Sequence, residues 1–187
     1  MNRKLMRWSL LLLIFLAMAY TAGPSLAGFI GISVPDPMET FVEKGSKLGP
    51  CTDDGVTLVV DYGTAASKLV VVCATHYGQS REDSGWGLFA AANQDVTGTS
   101  DYPAGFVCRI NGYPSSKVAT CDSTTNLGPG RWAYFKAVDS RGWRYSHIGA
   151  AMDEPVCGNW EGWRYVRDGN SSTGVPRITP KPFKCST

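Results

Sequence analysis

The sequence lacks the motifs that mark common hydrolases and nucleotide-binding enzymes. It has no G-x-S-x-G, no H-E-x-x-H and no P-loop, and its two histidines, His76 and His147, lie on separate segments. Adjacent carboxylates such as Asp153 and Glu154 would point to opposite faces of an extended segment, so they do not indicate a two-carboxylate glycosidase site. These absences favour a non-catalytic protein over an enzyme that uses one of the histidines.

Charge is also scarce, at 18% of the residues. Residues 28–187 carry 15 basic and 16 acidic side chains, so the positive formal charge of the whole chain comes from the N-terminus. A nucleic-acid-binding protein would have an excess of basic residues in this part of the chain. Nucleic acid is therefore excluded as a partner.

The first 27 residues have the features of a secretory signal peptide. Residues 1–7 are cationic and residues 8–22 are apolar. Ser25 and Ala27 then place small side chains at positions −3 and −1 of a cleavage point ahead of Gly28. The alternative is a retained membrane anchor, but an apolar run of about 15 residues is shorter than the roughly 20 that a spanning helix needs. We therefore expect a secreted or extracytoplasmic protein, released or associated with the cell surface, with no transmembrane segment after signal removal.

All six cysteines follow the predicted signal peptide, and none is arranged as C-x-x-C. An even number of cysteines in an oxidising compartment indicates three disulfides, and the spacing indicates neither a zinc site nor a redox motif. Fifteen pairings are open in principle. We expect sequence neighbours to pair, which gives Cys51–Cys73, Cys108–Cys121 and Cys157–Cys185.

Alternating and β-branched residues predict a small α+β domain, with a mostly antiparallel sheet built from hairpins and one packed helix. The predicted strands are residues 56–62, 69–73, 106–110, 131–138, 143–147 and 160–166. Ser84 is the predicted cap of a helix over residues 86–93. The predicted organisation is a signal peptide at 1–27, an extended arm at 28–54, the domain at 55–167 and a proline-rich tail at 168–187.

Aromatic residues are dense between positions 131 and 165, where arginines alternate with them. Large rings offer flat contact area to a ligand, and arginine pairs with phosphate or carboxylate groups. The alternative is that these rings form the core of a small domain. The candidate ligand-binding residues are Trp132, Tyr134, Trp143, Arg144, Tyr145, Trp163 and Arg164.

An ordered set of segments resembles small secreted bacterial proteins whose domain is similar to the C-terminal domain of transcobalamin and intrinsic factor. The segments are VTLVVDY at 56–62, VVCA at 71–74, GFVCRINGYP at 105–114, RWAYFKA at 131–137, GWRYS at 142–146 and EGWRY at 161–165. The resemblance implies an α+β sheet domain, one half of a cobalamin-binding cleft, and a link to cobalt or cobalamin uptake at the cell surface. The sequence departs from this family at Ala133 and Phe135, where a serine and a tryptophan are usual.

Together these observations predict an exported, non-catalytic module that binds a small-molecule ligand and needs no cofactor. Cobalamin or a related corrinoid is the ligand that the resemblance implies. The alternative is a protein-interaction or envelope-associated structural module that uses the same aromatic surface for a cell-envelope protein.

Overall fold

The computed structural model describes residues 45–125, 127–167 and 174–185, without the side chain of Ala65. The predicted signal peptide, residues 28–44 of the predicted arm and residues 168–173 of the predicted tail lie outside the described residues. No helix in the described part of the chain has the length and apolar character of a membrane span.

The described residues form a six-stranded main sheet and a second sheet of two short strands. The main strands are β1 (Gly45–Leu48), β2 (Val56–Asp61), β3 (Leu69–Thr75), β6 (Arg131–Ala137), β7 (Arg144–Tyr145) and β8 (Trp160–Val166). Their order across the sheet is β1-β3-β2-β8-β6-β7. The second sheet pairs β4 (Val96–Gly98) with β5 (Val107–Ile110). The helices are α1 (Gly63–Ala66), α2 (Gly87–Ala91) and a 3₁₀ turn at Ala150–Met152.

The prediction of a disulfide-stabilised α+β domain is confirmed, but the sheet is more than a set of hairpins. Strands β2 and β3 form an antiparallel hairpin, and so do β6 and β7. Strand β8 enters between the two hairpins, parallel to β2 and antiparallel to β6. The pattern of a strand does not identify a partner about a hundred residues away, so sequence reasoning missed this parallel pairing.

Both faces of the central strands are buried. On the first face Val56, Leu58 and Val60 join the aromatic residues of β6 and β8, and helix α2 covers them with Leu88 and Phe89. On the second face Val59, Ala137 and Trp160 pack with Trp143 and Ile178. Every residue of β2 is therefore buried, which explains why its sequence is nearly continuous in apolar residues.

The helix predicted at residues 86–93 is present as the shorter α2, and Trp86, directly before it, makes no side-chain cap. Ser84, the predicted cap, still bonds the first turn: the Gly87 backbone N–H donates to Ser84 Oγ at 3.0 Å, and Leu88 N–H donates to the Ser84 carbonyl. Helix α1 lies between the predicted strands 56–62 and 69–73 and was not predicted. Strands β1 and β4 were not predicted, because each is short and lacks a buried apolar face.

The C-terminal segment packs on the second face of the sheet. Arg177 makes a hydrogen-bonded ion pair with the fully buried Asp61, and the indole N–H of Trp143 donates to the Ile178 carbonyl at 2.7 Å. The disulfides join Cys51 to Cys73, Cys108 to Cys121 and Cys157 to Cys185, the same pairs as expected from the sequence. The last of these also holds the C-terminal segment to the domain.

Candidate functional site

A cleft of about 450 Å³ lies on the first face of the sheet, beside the β6–β7 hairpin. We call it the hairpin cleft. It is lined by residues 105–107, by Arg131, Trp132, Tyr134 and Trp163 of the sheet, and by residues 145–150. Backbone hydrogen bonds define its outer wall, since Ser146 N–H donates to the Tyr134 carbonyl at 2.9 Å.

The floor of the hairpin cleft is aromatic. Tyr134 and Trp163 are opposite each other in the β6–β8 register, and their rings stack at 4.6 Å between centroids. Trp132 lies next to them, edge-to-face with Tyr62 and Tyr165, and its indole N–H donates to the Tyr113 carbonyl. Neighbouring rings and hydrogen bonds thus hold the floor rigidly. They also leave Trp132, Tyr134 and Trp163 mostly buried, so only part of each ring is available to a ligand.

The described lining of the hairpin cleft contains the ionisable residues Arg131, Tyr134, Tyr145 and His147, and no aspartate or glutamate. The Arg131 and His147 side chains are exposed, and the His147 ring contacts the Tyr145 ring. A bound molecule with a negatively charged group would therefore meet no carboxylate among the described residues of the cleft.

Four of the seven predicted binding residues line the hairpin cleft: Trp132, Tyr134, Tyr145 and Trp163. Alternation along β6 and β8 brings the first, second and fourth together, because residues two apart on a strand share a face. Tyr145 is paired with Phe135, and the two rings meet edge-to-face. Tyr145 lies on β7 at the edge of the sheet and lines the cleft beside Ser146 and His147.

The structure places the other three predicted residues elsewhere. Trp143 packs on Trp160 on the second face of the sheet. Arg144 pairs with Asp139 at 2.5 Å in an exposed turn. Arg164 is also on the second face, where it donates to the Val175 carbonyl. A single surface that combines all seven residues is therefore not formed, and the arginines expected to hold an acidic group do not line the cleft.

Four ionisable side chains form a largely buried cluster beside the cleft floor, on the first face of the sheet, which we call the carboxyl–tyrosine network: Tyr134, Lys136, Asp153 and Glu161. The Tyr134 hydroxyl oxygen lies 2.6 Å from Glu161 Oε2 and 2.7 Å from Asp153 Oδ2. Lys136 Nζ donates to the other oxygen of Asp153. Asp153 and Glu161 are both buried, and Glu161 Oε1 has no hydrogen-bond partner among the described residues.

Burial and the neighbouring charges shift the titration of this network. Burial, and then the negative charge of Asp153, raises the pKa of Glu161 to about 8, although Tyr134 and Lys136 act in the opposite direction. Burial and the two carboxyl groups also raise the pKa of the Tyr134 hydroxyl, which therefore keeps its proton. A raised pKa favours the uncharged form of both groups in the folded protein.

Sequence reasoning missed this network and the outer wall of the cleft. In the sequence Asp153 stands beside Glu154, whereas its spatial partners lie on β6 and β8. One signal was present: Tyr134 and Lys136 alternate on β6, and Glu161 is the one acidic residue of β8. A carboxyl group inside such a strand needs a buried partner.

Metal-type ligands come together at one place in the described part of the chain, where Asp54, Cys157 and Cys185 approach one another. Both cysteines belong to a disulfide, so neither offers a thiolate. This group therefore does not support a metal site.

Comparisons with family models, curated proteins and solved structures find no match for this chain. The resemblance to the transcobalamin and intrinsic-factor domain therefore stays a prediction. The geometry of the hairpin cleft is the structural observation that bears on function.

Proposed function

We propose that the mature protein is an exported, non-catalytic module that binds a small ligand in the hairpin cleft. The observation that carries this proposal is a cleft of about 450 Å³ with a rigid aromatic floor. Small-molecule sites typically have volumes of roughly 300–1,000 Å³ and are lined by apolar and aromatic side chains with a few polar groups. The predicted signal peptide and the three disulfides support a location outside the cytoplasm.

The lining favours a ligand that combines an apolar ring or chain with a negatively charged group. Trp132, Tyr134 and Trp163 supply the apolar surface, and the described lining contains Arg131 and no carboxylate that would repel an anion. Cobalamin or a related corrinoid is the specific candidate that the resemblance suggests, with a role in uptake at the cell surface. Cobalamin is larger than this cleft, so the cleft would hold one edge or side group of it.

We prefer a binding function over catalysis by the two buried carboxyl groups because of where these groups lie. A general acid or base must come within hydrogen-bond reach of the reacting atoms. Asp153 and Glu161 are buried beside the floor and contact Tyr134 and Lys136 instead. Their arrangement therefore stabilises the floor of the site, and it does not present either carboxyl group to the cleft.

The alternative is a protein-interaction module, and one observation favours it. Ile148 at the cleft and Met152 in the adjoining 3₁₀ turn are 51% and 80% exposed. Exposed aliphatic side chains beside a cleft are typical of surfaces that a partner covers. In this case the partner would be a cell-envelope protein that contacts the aromatic surface.

The proposal is tested by calorimetric titration of oxidised residues 28–187 with two probes, cyanocobalamin and the amphipathic anion 1-anilinonaphthalene-8-sulfonate. We expect at least one probe to bind saturably with micromolar affinity. The variant Ile148→Asp adds a carboxylate at the cleft and should weaken binding about tenfold or more, because it repels the anionic group and removes apolar contact. Val156→Asp is the matched control, since Val156 is also exposed but does not line the cleft.

Equal weakening by the two variants would show that the cleft is not the site. Absence of binding by both probes would contradict the small-ligand proposal. Crosslinking to one envelope protein, lost in Ile148→Asp and kept in Val156→Asp, would then support the interaction module.

A further inference from the structure

The Tyr134 hydroxyl group makes two short contacts with carboxyl oxygens, and these contacts need one more hydrogen than the hydroxyl group alone supplies. The hydroxyl oxygen of Tyr134 has two short contacts with carboxyl oxygens, 2.6 Å to Glu161 and 2.7 Å to Asp153. A phenol has one hydrogen to donate, and an ionised carboxylate can only accept. Two oxygen–oxygen contacts of this length need two hydrogens. One of the two carboxyl groups must therefore be protonated and donate to Tyr134.

The surroundings assign this proton to Glu161. Asp153 forms an ion pair with the ammonium group of Lys136, whereas Glu161 forms none in the described part of the chain. Glu161 is fully buried, and its second oxygen has no hydrogen-bond partner among the described residues, which would be very costly for an ionised carboxylate. In the β2–β8 register its neighbour is the apolar Leu58.

The other charged groups nearby do not change this assignment. Tyr134 and Lys136 face Glu161 from β6, and Asp153 faces it from the end of the 3₁₀ turn. Beyond Lys136 in the sheet lies Arg144, which is paired with Asp139. Helix α2, which covers this face, has no ionisable residue.

Asp153 links the network to the wall of the hairpin cleft. It follows the 3₁₀ turn Ala150–Met152, and Ala150 itself lines the cleft. Two backbone hydrogen bonds tie this turn to the loop before α2: Gly85 N–H to the Asp153 carbonyl and Trp86 N–H to the Ala150 carbonyl, each at 3.0 Å. The side-chain bonds of Asp153 to Tyr134 and Lys136 tie the same turn to the sheet.

We propose that Glu161 is a neutral carboxylic acid that donates a hydrogen bond to Tyr134. With this proton in place the Tyr134 hydroxyl group can donate to Asp153, which holds the Ala150–Met152 turn, and with it the wall of the hairpin cleft, against the sheet. When the proton is lost, two carboxylates compete for the single hydrogen of the Tyr134 hydroxyl. Asp153 then loses its hydrogen bond with Tyr134, one of its two side-chain bonds to the sheet, or faces a second negative charge, and the turn loosens. This proton switch acts whether or not a ligand occupies the cleft.

The first test follows the Glu161 side-chain carboxyl carbon by NMR from pH 5 to pH 10, in oxidised residues 28–187 labelled with ¹³C and ¹⁵N and sequentially assigned. We expect this signal to keep the shift of a protonated acid at pH 6 and to titrate with a midpoint near pH 8. A carboxylate shift for Glu161 across this whole range would overturn the proposal. The measurement uses the unmodified protein, so it does not depend on the folding of a variant.

The second test measures amide hydrogen exchange of Gly85, Trp86 and Met152, corrected for intrinsic exchange. If opening of the Ala150–Met152 turn releases the Glu161 proton, the protection of these amides from exchange should fall by up to about tenfold per pH unit between pH 6 and pH 8 and then level off. In Glu161→Gln the side-chain amide still donates to Tyr134 and does not titrate, so the protection should stay constant. Glu154→Gln, an exposed neighbour of Asp153, is the matched control and should behave like the unmodified protein. The same loss of protection in Glu161→Gln would refute the link between this proton and the turn.

Discussion

The ring and the hydroxyl group of Tyr134 have different roles. Its ring stacks on Trp163 in the floor of the hairpin cleft, while its hydroxyl group contacts Glu161 and Asp153 beside the floor. A buried polar group costs free energy unless it is hydrogen-bonded, so one oxygen of each carboxyl group depends on this hydroxyl. The alternation of β6 predicted which face Tyr134 occupies. It could not predict the partners, because these come from distant segments.

At the residue scale we expect Tyr134→Phe to lower the free energy of unfolding by about 2–4 kcal/mol, because it leaves two buried carboxyl oxygens without their partner. Tyr145→Phe is the matched control, since it removes the same atom from a half-buried tyrosine at the sheet edge, and should change the stability by less than about 0.5 kcal/mol. Urea unfolding followed by tryptophan fluorescence measures both values. Similar losses in the two variants would contradict the role assigned to the Tyr134 hydroxyl.

At the scale of elements, the C-terminal segment is held by a buried ion pair. Burial alone would raise the pKa of Asp61, but hydrogen bonds from Arg177 and Gly63 outweigh it and hold this pKa below its usual value. Asp61 was predicted to lie in a strand, and the tail was predicted to be extended. Their pairing was not predictable, because 116 residues separate Asp61 from Arg177.

We expect Arg177→Met to lower the free energy of unfolding by about 2–3 kcal/mol, because it leaves the Asp61 carboxylate buried without a cation. This is less than for a fully buried pair, since the Arg177 side chain is 35% exposed. The double variant Asp61→Asn, Arg177→Met should lose less than the single variant, and Lys181→Met is the control for loss of an exposed cation from the same segment. Chemical denaturation checks all three. A larger loss in the double variant would show that the charge of Asp61 is not what Arg177 compensates.

At the scale of the whole molecule, the pH dependence of stability follows from groups whose pKa values move in opposite directions. The lowered pKa values of Asp61 and Asp139 give stability that is present above about pH 4 and is lost as the pH falls. The raised pKa of Glu161 gives stability that is fully present below about pH 4.5 and is lost as the pH rises toward about 8. Between these limits the folded state binds the Glu161 proton and the unfolded state does not.

We therefore expect the free energy of unfolding to contain a component that decreases by up to about 1.4 kcal/mol per pH unit between pH 5 and pH 8. Glu161→Gln should lack this component, because the amide does not titrate. The measurement is urea unfolding at intervals of half a pH unit, with Glu154→Gln as the control that should keep the slope. Parallel curves for the unmodified protein and Glu161→Gln would disprove the prediction.

The local features of this protein could be predicted from its sequence. Alternating and β-branched or aromatic residues predicted the strands β2, β6 and β8 and the shared face of Trp132 and Tyr134, and the even cysteine count indicated three disulfides. These features depend on residues close together in the chain. The position of β8, parallel to β2 and between two hairpins, follows only from the folded arrangement, which places Glu161 against Tyr134 and puts Trp143 and Arg164 on the opposite face. Such contacts depend on strand order, and the pattern within a strand carries no information about which distant strand will pair with it.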